Sequence, residues 1–438
     1  MSALPSVQQL LHRLKAYVAS FPRTVWLLTA ATMVESTGRF MVVPYLSLYM
    51  KDKGVSLGAL GLVLGSAPVA SVLFGALGGH LSDRIGRKPV QILGVCTSAL
   101  AMFGFAFAGG NVFLLALLNF MNGMTRTFYR PATNAALADL CPPDRRSEAF
   151  ALNRIALNAA FGWGPLLGVA IFAVMPRAGF IVGGALNLAV GLFLALAVPE
   201  SAPLVAGRSY SLFRRPRTQP VTASMTTVDS AQHTKPDAAQ RKQAMRVIAR
   251  DGIFWAWMAG MTLIWGAYDL IQSFLPLHMR AQNLPLWLYG SLLSVNALVC
   301  VFGQLPISRA LRVAPIAPNA SASKLLFAFG FLGFAFLSSP AAVIGSMLVL
   351  SVGEIWGSAV QSRFVPEHAR ADLLGRYMGL TTVSELGRAF VAPAAGFIMQ
   401  ASGGQGVFVM AAALSLAGGF LLWRAGKARD AQSVAAPA

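Results

Sequence analysis

The chain has 438 residues, of which 56% are hydrophobic and only 12% charged, and it carries a net charge of +19. Soluble domains hold about 25% charged residues, so this composition excludes a soluble globular protein. It also leaves a nucleic-acid-binding reading without the soluble domain that a basic footprint needs. What remains is a polytopic membrane protein whose positive charge is a bias of its loops.

Residues 1–22 set His12, Arg13 and Lys15 against Leu10, Leu11, Leu14, Val18 and Phe21. That stripe is too short and too polar for a signal peptide and predicts an amphipathic helix on the cytoplasmic leaflet. Six apolar runs follow, near 24–50, 56–80, 89–109, 111–139, 147–175 and 177–198. They match the roughly 20 apolar residues needed to cross about 30 Å of hydrocarbon. Residues 199–250 are rich in Ser, Thr, Pro, Gln and Arg and include Arg214-Arg215-Pro216-Arg217. Nothing there can bury a core, so a largely disordered linker is expected. Six more runs lie near 252–281, 285–312, 322–340, 341–365, 372–401 and 404–424. The expectation is an all-α polytopic membrane protein with 12 transmembrane helices in two six-helix pseudo-repeat bundles. Its parts would be a cytoplasmic segment (1–22), a first bundle (23–198), a basic linker (199–250), a second bundle (251–425) and a cytoplasmic tail (426–438).

Charge fixes the orientation. With the N-terminus inside, 26 of the 35 Lys and Arg fall on termini and on cytoplasmic loops and the run ends beside them, counting Arg309, Arg312 and Lys324 at the facing ends of the eighth and ninth runs. Lys51, Lys53, Arg177 and Arg280 fall outside. Lys and Arg are retained on the cytoplasmic side, so both termini are expected there, in a plasma membrane that is the inner membrane if the source is bacterial. Cys96, Cys141 and Cys300 show no metal or disulfide spacing.

The two halves echo each other. Pro142 and Arg146, ahead of the fifth run, recur 224 positions later as Pro366 and Arg370, and the same offset sets Arg130 against Glu354. Gly164-Pro165-x-x-Gly168 is echoed by Pro393-x-x-Gly396. Gly61/Gly65 and Gly75/Gly79 are small pairs four apart, a spacing that lets helices approach closely.

Between the second and third runs lies a tight charged turn, Gly79-x-x-x-Asp83-Arg84-x-Gly86-Arg87-Lys88. It resembles the signature loop of the major facilitator superfamily. The segment Gly303-Gln304-x-x-x-Ser308-Arg309-x-x-Arg312 looks like a second copy that lacks the acid. The resemblance implies two rocking bundles with a substrate site between them at mid-membrane. It also implies a cytoplasmic gate, carried onto Gly79, Asp83, Arg84, Gly86, Arg87, Lys88 and Asp139, with Arg146 beside them. Asp83 is expected either to reach Arg87 across the turn or to cap the start of a neighbouring helix through its dipole, and Asp139 to take Arg87 from the other side.

Nine charged residues sit away from the ends of the runs: Glu35, Arg39, Arg126, Arg130, Arg154, Asp269, Glu354, Glu385 and Arg388. A charge at the bilayer centre costs about 2.5–3.5 kcal/mol even on a lenient scale, so each needs a use or a partner. Glu35 and Arg39, four apart, share a helix face, as do the mutually repelling Arg126 and Arg130. Arg154 shares its face with Asn158, Asp269 stands beside Tyr268, and Glu385 is three residues from Arg388. Glu354, near Trp356, has no cation within helical reach. It is the first candidate for carrying a proton, with Asp269 second and Glu35 and Glu385 behind. Arg39, Arg126, Arg130, Arg154, Asn158, Tyr268, Trp356 and Arg388 are the expected cavity residues.

The stretch Pro142–Gly168 and the segment from Arg370 through Gly375-Arg376-Tyr377-Met378-Gly379-Leu380 are similar to the 12-helix drug:proton antiporters. Two positions depart from that branch. Asn119 stands where its fourth-helix motif has Arg, and Ala160 replaces a glycine upstream of Gly164-Pro165. The expectation is proton-coupled export of a small organic molecule (a drug, a siderophore-like chelator or a metabolite) by alternating access. Arg39, Arg130 and Arg154, expected to contact acidic substrate groups or the carboxylates, favour an anionic or zwitterionic one. The alternatives are a proton symporter importing such a solute, and a non-transporting receptor or scaffold. The driver would be the proton gradient, worth about 2.3 kcal/mol per charge per 100 mV. No phosphate-binding loop for a nucleotide is present. The five His do not cluster, so no enzyme is expected. No cofactor, metal or nucleic acid is expected either, and the carrier should act as a monomer in the bilayer.

Overall fold

The structure, a computed structural model, describes residues 19–142, 145–202, 238–370 and 372–435. Among these there is no strand. The first half contains α1 (Arg23–Asp52), α2 (Leu57–Ile85), α3 (Arg87–Phe107), α4 (Val112–Leu140), α5 (Arg146–Val174) and α6 (Pro176–Ala197). The second contains α7 (Ala238–Ala249), α8 (Gly252–Ser273), α9 (Leu275–Ala281), α10 (Leu286–Ala310), α11 (Ile316–Phe336), α12 (Pro340–His368), α13 (Leu374–Leu380) and α14 (Leu386–Ala435). Helix α14 is two helices joined across a kink at Gly403, whose φ of 72° suits a residue without a Cβ. Counting α8 with α9, and α13 with the first part of α14, gives twelve crossings. Most of 1–22 and of the expected linker lie outside the described residues; α7 falls in the last part of 199–250.

Helix starts follow local chemistry. Ser56, Asn111, Asp251 and Ser339 accept hydrogen bonds from the backbone N–H three residues on, opening α2, α4, α8 and α12. Eight segments are long and apolar enough to span by composition alone, one of them the joined pair in α13–α14. The three that fall short, α1, α4 and α8, hold Glu35 and Arg39, Arg126 and Arg130, and Asp269. Interior charge is not confined to these three, because α5, α12 and α14 carry Arg154, Glu354 and Arg388 and still qualify.

One boundary corrects the sequence reading. The ninth crossing was expected near 322–340 but runs from Ile316 to Phe336, starting directly after Pro315. Lys324 is therefore not a loop residue. It lies in the interior of α11 and is 2% exposed.

The two halves meet at the end away from the Gly79–Lys88 loop. Gly61 and Gly65 of α2 lie against Ala389, Ala392, Pro393 and Gly396 of α14, and Gly58 against Phe397 and Gln400; a Cβ at Gly61 would stand 2.5 Å from the Ala392 carbonyl oxygen. Ser294 of α10 donates to the Gly162 carbonyl of α5, and Asp52 pairs with Arg280 at 2.6 Å. At the loop end the same helices are apart. Gly75 and Gly79 on α2, and Gly375 and Gly379 on α13, have nothing within 4 Å of where a Cβ would be. The space between the halves opens on that side.

The antiporter-like Gly164-Pro165-x-x-Gly168 is a packing device here. A Cβ at Gly168 would stand 2.4 Å from the Met41 carbonyl oxygen, and the Tyr45 hydroxyl donates to the Pro165 carbonyl at 2.6 Å, so α5 lies directly on α1. Asn119, in place of the branch's arginine, donates to the Val63 carbonyl at 2.7 Å and ties α4 to α2.

Candidate functional site

The first-half wall is built by α1, α4 and α5. A cavity of about 460 Å³ is lined by Thr32, Glu35, Ser36, Tyr129, Arg130, Asn134, Asn153, Arg154 and Asn158, among others. Glu35 and Arg39 are buried and pair at 3.4 Å, with Ser36 donating to the other carboxylate oxygen at 2.8 Å. Arg39 also lies 4.4 Å from the centre of the Phe40 ring. Arg126, Arg130 and Arg154 form no hydrogen bond or ion pair among the described residues. Arg130 and Arg154 are exposed on the cavity wall. Cationic side chains are seldom kept unpaired at this depth without a use.

The second-half wall is acidic and tied down. Asn296 of α10 donates to Glu354 at 2.8 Å and Tyr268 of α8 donates to the same oxygen at 3.0 Å. Asn296 also donates to Ser351 at 2.9 Å. Glu354 has no ion pair within 4 Å among the described residues, and it is half-buried rather than sealed. Asp269 and Glu385 share Arg388, at 3.6 and 2.6 Å, and Arg388 sits 5.0 Å from the centre of the Trp265 ring. Ser273 donates to Asp269 at 3.2 Å. Trp356 turns to α11, where it donates to Asn319 at 3.0 Å, so it serves the α11–α12 contact.

The two walls act on each other. Arg154 is among the charges that bear on Glu354, and Asp269 and Glu385 on Arg126. All nine interior charges of the sequence reading thus belong to helices around one seam. The residues that reading missed are Asn296, Trp265 and Lys324. Only Lys324 left a usable signal: a lysine nine residues after Pro315, followed by Leu-Leu-Phe-Ala-Phe.

At the loop end, Arg87 pairs with Asp83 and, at 3.2 Å, with Asp139, so both expected contacts form. Sequence reasoning missed Glu200. Its carboxylate accepts from the backbone N–H of Arg87 at 2.9 Å and of Lys88 at 3.1 Å, capping α3. Gly86, at φ 106°, is required twice over: a Cβ there would stand 2.3 Å from that carboxylate. Lys88 donates to the Ala195 carbonyl at 2.6 Å and Arg146 to the Ala138 carbonyl at 3.0 Å, while Arg84 is exposed. Every partner lies in the first half, so in this conformation the cluster braces α2, α3, α4 and α6 without crossing to the other bundle. The second half has a matching brace. Asp251, the cap of α8, accepts from Tyr377 at 2.6 Å and from His368 at 2.8 Å, joining α8, α12 and α13.

A family model described as Major Facilitator Superfamily matches residues 28–385. The chain is 25% identical over 369 residues to the uncharacterized MFS-type transporter YqjV of Bacillus subtilis, covering 83% of each chain. It is 28% identical over 148 residues to the quinolone resistance protein NorA of Staphylococcus aureus, covering 34% of this chain and 38% of NorA. The fold is similar to the nucleoside transporter NupG (TM-score 0.72, 14% identity, 92% of this chain and 100% of NupG). It is also similar to the human organic anion transporter MFSD10 (TM-score 0.60, 19% identity, 91% and 99%). With a family model spanning most of its length, this chain belongs to the major facilitator superfamily, a family of membrane transporters and not of enzymes.

Proposed function

We propose that the chain exports a small organic molecule bearing an acidic group, driven by protons, with both termini in the cytoplasm. The carrying observation is the contrast between the walls: among the described residues Arg126, Arg130 and Arg154 on α4 and α5 have no hydrogen-bond or ion-pair partner, and Glu354 of the second half has no ion pair. An acidic substrate group docks at Arg130 and Arg154. A basic group on the same molecule competes with the proton at Glu354, which makes the exchange an antiport. The partial match to a quinolone resistance protein supports this reading, because a fluoroquinolone with a carboxylate and an amine has both groups.

The test uses everted vesicles with an imposed pH gradient and a fluoroquinolone as probe. Vesicles with the wild-type chain should accumulate the probe and release protons when it is added. Accumulation that ignores the gradient would remove the proton coupling. Proton uptake together with the probe would make the carrier a symporter, the reading that a purely anionic substrate favours, since an anion pairs best with a protonated Glu354.

A further inference from the structure

Lys324 has no place in the reading above. It is 2% exposed, in the interior of α11. Room has been made for it twice. Its stem crosses Gly419 of α14, where a Cβ would stand 2.9 Å from the lysine Cβ. Its head lies over Gly357 of α12, where a Cβ would stand 2.7 Å from Nζ. The ammonium sits 4.0 Å from the centre of the Phe327 ring and forms no hydrogen bond or ion pair among the described residues. Gly357 is three residues from Glu354, so the ammonium rests over the helix face that carries the carboxylate. Glu354 is the charge that acts on it. A static packing role would be better filled by Met or Leu, because a buried ammonium is costly unless it is compensated.

We propose that Lys324 is the resident counter-ion of Glu354, neutralising the carboxylate in the proton-free carrier and setting how readily that carboxyl takes up a proton. The inference rests on Glu354 as the proton carrier. Around Glu354 stand Tyr268 from α8, Asn296 and Cys300 from α10, Arg154 from α5 and Lys324 from α11. Of these, Arg154 belongs to the other bundle and moves away from Glu354 as the halves rock. Lys324 belongs to the same bundle and stays. The carrier thereby keeps one compensating charge at Glu354 in every conformation, and the second comes and goes with the cycle.

Dicyclohexylcarbodiimide, which adds to a protonated carboxyl in apolar surroundings, reads this without any substrate. The purified full-length protein is labelled at about pH 7 and the Glu354 peptide is quantified by mass spectrometry, with Glu354→Gln as the blank. A neighbouring cation favours the ionised, unreactive form. Lys324→Met should therefore label at least about threefold faster than wild type, and Lys324→Arg at nearly the wild-type rate. Gly357→Ala, which keeps the charge but fills the space under Nζ, should rise less, and it serves if Lys324→Met does not elute as a monodisperse protein. Equal labelling of wild type and the folded variants overturns the counter-ion role while leaving Glu354 as a carrier. No labelling of wild-type Glu354 at any pH removes the proton-carrier reading itself, and this inference with it.

Discussion

The two walls of the seam differ in how their charges are held. On the first-half wall the acid Glu35 is consumed by Arg39, and Arg126, Arg130 and Arg154 stand without partners among the described residues. On the second-half wall every acid is engaged: Asp269 and Glu385 by Arg388, and Glu354 by an amide and a phenol. Groups without partners are available to a ligand, whereas a carboxyl held by neutral donors can change its protonation without breaking an ion pair. The contrast therefore divides the work: the first half recognises and the second half couples.

Neutralising the coupling wall should have the largest effect. Glu354→Gln keeps an acceptor for Asn296 and Tyr268 but cannot cycle a proton. The accumulation ratio, roughly fortyfold per 100 mV for one proton per cycle, should collapse toward one. Exchange of labelled for unlabelled probe, which needs no proton, should persist. Loss of exchange as well would mean that Glu354 holds substrate, and the division between the walls would fail.

The recognition wall should respond more mildly and in affinity. Arg130→Ala or Arg154→Ala removes one charge-assisted hydrogen bond to an acidic substrate group, worth about 1.5–3 kcal/mol, or tenfold or more in binding. Proton coupling should survive in both. The sharper form is a pair of probes differing only in a carboxylate and its amide: the arginine variants should weaken the acid and leave the amide unchanged. Equal weakening of both would assign the arginines to holding α4 and α5 in place.

Which parts of this were legible follows from what a sequence encodes locally. Apolar length and glycine, proline and charge spacing depend on neighbours along one helix, so twelve crossings, the Asp83–Arg87 pair and the interior charges could be read, whereas Asp139, 52 residues from Arg87, came only with the family resemblance. Lys324 was misplaced because its helix begins with a polar turn, Asn319-Ala320-Ser321-Ala322-Ser323, that faces protein rather than water. The assignment of Arg388 to two acids, and of Asn296 and Tyr268 to Glu354, depends on helix rotation and on contacts 86 residues apart or more in the Tyr268 and Asp269 cases. No single-helix pattern carries that.

The two ends of the α2–α14 seam offer a smaller, conformational test. Gly61→Val must displace the Ala392 backbone, an overpacking cost of about 1–3 kcal/mol, so it should shift the carrier away from this conformation and slow transport several-fold. Gly75→Val meets nothing here. It should leave the thermal stability of this state unchanged, yet slow transport if the loop end closes on those glycines in the other state. Accessibility of cysteines placed at either end reports the shift, and equal effects of the two substitutions on stability would count against a seam that closes at one end at a time.

The braces should matter least, and to stability more than to transport. Burial pushes the Asp251 carboxyl up, but the Tyr377 hydroxyl, the Phe254 N–H and His368 outweigh it and hold it below the usual carboxylate value. A depressed carboxyl contributes stability that is fully present above its unfolded value, near pH 4, and is lost as pH falls through the folded one. Tyr377→Phe removes a bond of 2.6 Å to a charged acceptor, worth about 1–3 kcal/mol. The variant should melt a few degrees lower at neutral pH, and the gap from wild type should close under acid, where Asp251 is protonated in both. The first-half brace gives the control. Asp139→Asn should weaken the Arg87 contact and leave the acid dependence assigned to Asp251 intact, because no partner of that cluster lies in the second half. If both variants changed the same acid transition, the braces would be coupled across the seam, and the independence of the two bundles at their loop ends would have to be given up.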